Sequence, residues 1–105
     1  MSELYGLHGR LLAHGGKGGE LEAILLESAQ LLESNDDCLL YVVSREAGEP
    51  DAVWVTEAWR SREAHRASLD DEAVRALIQR AMPIIAELPE RTVDLHPVGG
   101  KGLPS

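Results

Sequence analysis

Apolar and polar positions alternate over Leu4–Ala13, with Tyr5, Leu7, Gly9 and Leu11 on one side, which predicts a strand. The run HGGKGG at His14–Gly19 breaks it and predicts a turn. From Glu20 the apolar spacing becomes helical, with Leu21, Ile24, Leu25, Ser28 and Leu32 on one stripe and Glu22 and Glu33 outside it. The acidic first turn suits the positive end of a helix dipole, and SNDD at Ser34–Asp37 stops the helix. Cys38–Arg45, CLLYVVSR, is rich in β-formers and predicts a second strand. EAGEPD at Glu46–Asp51 is a turn, and a third strand follows at Ala52–Trp59, paired antiparallel with the second because the connection is short. Its period of two puts Val53, Val55, Glu57 and Trp59 on one face and Trp54, Thr56 and Ala58 on the other.

Ser61 is a suitable N-cap for a brief helix at Arg62–Ser68. Asp70 and Asp71 open a longer helix with Val74, Leu77, Ile78, Ala81, Met82 and Ile85 on one side, which Pro83 should kink or end. Arg91–Val98, RTVDLHPV, predicts a last strand at a sheet edge, since Pro97 cannot donate to a ladder. The tail from about residue 99 to 105, GGKGLPS, is expected to be mobile. The order β-α-β-β-α-β predicts one α+β domain over 1–105, a ferredoxin-like four-stranded antiparallel sheet with both helices on one face.

Composition narrows the function. The chain has 105 residues, and its apolar content is 44% without a single Phe, so Leu, Ile, Val and Ala must carry a modest core. Self-association would add the missing burial. The formal charge is −8, and the arginines lie among acidic neighbours in SREAGEPD and RSREAHR, which argues against nucleic acid or an anionic membrane as partner. Neither a signal-peptide pattern nor an apolar run near ~20 residues is present, so a cytoplasmic protein is expected. Cys38, alone in an apolar run, reads as a buried structural thiol.

The candidate chemistry gathers in VWVTEAWRSREAHRASL at Val53–Leu69. Trp59, at a strand end beside a helix, could stack on an aromatic ligand or serve as ordinary core. Glu57 points inward with Val53 and Val55; it is a general base of raised pKa or, the favoured reading, half of a salt bridge to Arg75 or Arg80. His65 could accept a phenolic proton near neutral pH, although most lone histidines are structural. Ser68 reads as a helix cap, with Asp71 completing an S-x-x-D pattern. Tyr41 lies mid-strand with Leu39 and Val43, lining either a pocket or an interface, and Trp54 is expected in sheet or dimer packing. His8, His14 and His96 lack ligand spacing, and HGGKGG lacks the spacing of a phosphate loop, so no metal and no cofactor are expected.

Four features together resemble the antibiotic biosynthesis monooxygenase family: GKGGEL before the first helix, the strand CLLYVV, the E-x-W-x-S-x-E-A run at Glu57–Ala64, and VGG at Val98–Gly100. The resemblance implies a dimeric α+β barrel, with sheets packed face to face and a pocket between sheet and helices in each subunit. It implies cofactor-free oxidation of a small aromatic quinol or phenol by dioxygen, with His65 and Glu57 as catalytic groups and Trp59, Tyr41, Ser68 and Leu69 around the substrate. Family members often carry a His in an A-H-L run where this chain has Ala67-Ser68-Leu69, so His65 would have to take over that role. Haem-degrading members resemble one another in an Asn, a Trp and a His that here correspond to Gly9 or His8, Ser68 and Ile78, and haem degradation is not expected. The alternatives are a non-catalytic dimeric protein that binds a small hydrophobic metabolite, and a cofactor-free isomerase or lyase of related fold.

Overall fold

The computed structural model describes residues 3–87 and 93–103. Its elements in chain order are β1 (Tyr5–Ala13), α1 (Gly18–Leu32), β2 (Cys38–Glu46), β3 (Glu49–Trp59), α2 (Arg62–Ser68), α3 (Glu72–Ala81), β4 (Ile85–Glu87) and β5 (Val93–Leu95). The antiparallel sheet has the order β2-β3-β1-β4, and β5 pairs with β1 alongside Gly6–His8. The fold is the ferredoxin-like α+β arrangement that the pattern predicts, with one more strand than expected.

That strand comes from the end of α3. Pro83 has no N–H to continue the ladder, so the helix closes at Ala81 with Met82 as its C-cap. Ile85, expected on the helical stripe, instead pairs with Ala13 as the start of β4. The last strand is also shorter than Arg91–Val98: Arg91 and Thr92 lie outside the described residues, and His96, Pro97 and Val98 are not in the ladder. Pro97 lacks a donor, and its ring stands over Gly6, where an added Cβ would lie 3.1 Å from it. The β2–β3 connection tightens to Ala47 and Gly48, with Gly48 at φ +81°, so both strands run further than predicted.

The two helix-facing stripes meet as read. Leu21 and Ile24 of α1 and Leu77 and Ala81 of α3 close a core on Ala13 of β1 and Val53 of β3. The register Tyr5↔Trp59, Leu7↔Glu57 and Tyr41↔Glu57 puts Tyr5, Leu7, Tyr41, Glu57 and Trp59 on this covered face. The opposite face carries Trp54, Thr56 and His8, and among the described residues no helix covers it.

α1 begins two residues earlier than predicted, and its start is built from elsewhere in the chain. Lys17 makes no side-chain cap; instead Asp51 of β3 accepts from the Gly18 N–H (2.9 Å) and the Gly16 N–H (3.2 Å). A Cβ on Gly18 would collide with the Pro50 carbonyl and lie 2.7 Å from Asp51 Cα, so glycine is required by the close approach.

Candidate functional site

Where β3 ends, its covered face leaves a cavity of about 170 Å³ under α1, α2 and α3. The β3 alternation delivers Glu57 and Trp59 to it, and β2 delivers Tyr41 from the position opposite Glu57. Ser61 caps α2 by accepting from the Ala64 N–H (3.0 Å), as its position predicts, and this short helix brings His65 and Ser68 to the same space. Leu69, the α2 C-cap, lies at its mouth and is 42% exposed. All six residues expected at a site therefore surround one cavity.

Its polar end is a three-residue cluster. Trp59, 1% exposed, donates its indole N–H to Glu57 Oε1 at 3.0 Å. His65 Nε2 stands 3.9 Å from the same oxygen, beyond hydrogen-bond length, and its ring meets the Trp59 indole edge-on at 5.4 Å between centroids. Neither Arg75 nor Arg80 reaches Glu57. The expected salt bridge is replaced by one between Arg80 and Glu27 at 2.8 Å, because α3 turns Arg80 towards α1 and solvent. Ser68 is not a cap either. Its hydroxyl donates back to the His65 carbonyl at 2.6 Å, and Asp71 caps α3 instead, accepting from the Ala73 and Val74 N–H groups.

Burial sets the electrostatics. Desolvation raises the Glu57 carboxyl above its usual range, with the Trp59 N–H pulling partly the other way. Desolvation lowers His65 below 6.5, so the imidazole is neutral at pH 7 and free to accept a proton. The Tyr41 hydroxyl is pushed up to about 12 by burial, with a smaller opposing effect from the Ser28 hydroxyl, and stays protonated. The remaining walls are apolar, from Leu25, Leu32, Val74, Leu77 and Ile78.

One residue of the cavity and one packed behind it escaped the sequence reading. Ser28 is the single polar member of the α1 stripe, and that exception was its signal. Tyr5 shares the covered face with Trp59; its ring lies 5.5 Å from His65, and the Arg62 guanidinium stands 5.0 Å above it. Nothing in the local pattern near Tyr5 marks that contact, which depends on strand register. Cys38 is half-buried rather than buried, because β2 bulges between Cys38 and Leu40 at its outer end; burial still pushes the thiol up to about 11. His8 packs on Trp54 and His96 bonds the Leu4 carbonyl, far apart from each other in role.

Comparison with known proteins places this arrangement. The model of the antibiotic biosynthesis monooxygenase family matches residues 4–80, and the chain belongs to that family. A candidate antibiotic biosynthesis monooxygenase from Chloroflexus aurantiacus is similar over 96% of this chain and 99% of its own, with 42% identity and a TM-score of 0.86. Candidates of the same kind from Caulobacter crescentus (23% identity, TM-score 0.84, 93% and 92% covered) and Deinococcus radiodurans (23%, 0.77, 97% and 99%) share the fold. No curated protein matches the chain. Among the described residues, no helix is long and apolar enough to cross a membrane.

Proposed function

We propose that the protein oxidises a small aromatic quinol or phenol with dioxygen, using no cofactor. The observation that carries this reading is a neutral imidazole and a half-buried carboxyl group of raised pKa at one end of an otherwise apolar cavity. The substrate ring lies among the leucines and against Trp59, with its hydroxyl at His65. His65 takes the phenolic proton, and Glu57, 3.9 Å away, stabilises the imidazolium that results. The electron-rich anion then reacts with dioxygen. For a quinol the balance closes without another reductant: the ring gains one oxygen atom as a hydroxyquinone, and the second leaves as water with two substrate hydrogens. A dry, apolar wall keeps the anion poorly solvated and reactive.

A second copy of the chain fits the helix-free sheet face, and we propose a homodimer formed there. Leu40, Val42, Val93 and Leu95 are each 37–48% exposed on that face, around Trp54.

The test is oxygen uptake by purified, metal-free protein with a panel of quinols. Uptake above buffer that is lost in His65→Ala supports the reading. Tight binding with no uptake for any quinol would convert it into a binding protein, and product without uptake into an isomerase or lyase.

A further inference from the structure

The cavity beneath β3 does not stand alone. A second, outer cleft of about 360 Å³ lies between the end of α1 and the α2–α3 corner, and it shares Leu32, Ser68 and Val74 with the inner cavity. Those three side chains form a wall one residue thick, with Glu57, His65 and Trp59 on its inner side. Ser68 is fixed by its bond to the His65 carbonyl, so the wall does not depend on a mobile loop.

Volume then limits the occupant. The inner space of about 170 Å³ is close to the roughly 150 Å³ of an engineered apolar cavity that takes benzene. It is smaller than the roughly 300–1,000 Å³ of ordinary ligand pockets. We infer that the inner cavity admits a single aromatic ring and that the Leu32–Ser68–Val74 wall is what excludes a second fused ring. The inference deepens the preceding reading in naming the size of its phenol, and rests on it for the hydroxyl's position. Thinning the wall joins the two spaces, so a fused second ring can extend into the outer cleft. The discrimination follows from steric fit, which in apolar pockets separates ligands by about tenfold or more.

Binding of 4-methylphenol and 1-naphthol, neither of which needs to turn over, tests this by calorimetry. Indole NH resonances locate the ligand, with Trp59 at the cavity and Trp54 on the far face as internal control. The wild-type protein should bind 4-methylphenol at least about tenfold more tightly and shift only the Trp59 signal. Val74→Ala, at a half-buried position, and separately Leu32→Ala should each shift the ratio of 1-naphthol to 4-methylphenol affinity about tenfold towards 1-naphthol. Equal affinity of the wild-type protein for both phenols overturns the inference. So does an unchanged ratio in both variants, binding of neither phenol, or a shift of Trp54 alone. A protein that binds in this pattern yet consumes no oxygen with quinols keeps the inference and loses the oxidation.

Discussion

The two faces of the sheet each carry a tryptophan whose indole N–H donates to a glutamate, and the two pairs behave in opposite ways. On the helix-free face Trp54 donates to Glu46 at 2.8 Å, and Arg10 reaches the same oxygen at 2.8 Å. Arg10 first, and the Trp54 N–H after it, hold that carboxyl below its usual range. On the covered face Trp59 donates to Glu57 at 3.0 Å, no arginine answers, and burial raises the carboxyl. The shared hydrogen bond pulls both acids down and so does not account for their opposite shifts. Desolvation and the presence of a cation decide the direction, and only the covered pair is left with a group ready to exchange a proton.

The contrast can be broken in several ways. The largest effect should come from Trp59→Ala, which empties the core beside the cavity and should cost about 3–5 kcal/mol in urea unfolding. Trp54→Ala, from a half-buried site, should cost about 1 kcal/mol. Equal losses would remove the distinction. His65→Gln should reduce oxygen uptake about 100-fold, the scale of one general base. In the wild-type protein, uptake should rise with pH through a midpoint below 6.5, set by the neutral imidazole; a midpoint above 6.5 would place the base elsewhere.

The carboxyls make a subtler pair. Glu57 has a folded pKa above its unfolded 4.5, so the folded state holds its proton longer. Stability should fall as pH rises from 4.5 through the folded value, and Glu57→Gln should abolish that fall. Glu46 has a folded pKa below 4.5, so its contribution is present above 4.5 and lost as pH drops through the folded value; Glu46→Gln should remove that loss. His65 acts against Glu57, since its lowered pKa makes stability fall as pH drops from 6.5 through its folded value. Chemical denaturation of single variants across pH 3–8 separates the three; like slopes for Glu57→Gln and Glu46→Gln would sink the contrast. The smallest effect on the monomer is expected from Leu40→Lys on the open face, within about 0.5 kcal/mol. The same variant should dissociate the proposed homodimer in light scattering, and an unchanged mass would move that interface away from the open face.

Most of this site could be read because strand alternation is a strict rule. Once Val53 and Val55 face the core, Glu57 and Trp59 must follow, and a helix capped at Ser61 returns His65 to the same end. What could not be read depended on choices between equivalent partners. Glu57 had two arginines within plausible reach, and only the orientation of α3 sends Arg80 to Glu27 instead. Ser68 fitted a capping pattern, but Asp71 fits the same helix start, and the local backbone selected it. Tyr5 joined through register across β1 and β3, a long-range fact without a local signature. Ile85 followed a helical stripe that Pro83 had already cut.

The Asp51 clamp on Gly18 makes the first helix a borrowed structure. A peptide spanning residues 14–33 carries no cap for its own first turn, so that turn should form only once the β2–β3 hairpin has closed and brought Asp51 to it. The helix contributes Leu25, Ser28 and Leu32 to the cavity, more than a turn further along. Damage at the hairpin, far from any reacting atom, thus has a route to ligand fit. Asp51→Ala should speed amide exchange in the first turn of α1 and make the inner wall less well defined, while Glu57 and His65 keep their places. In this molecule the hairpin works as a keystone for the helix that gives the cavity its shape.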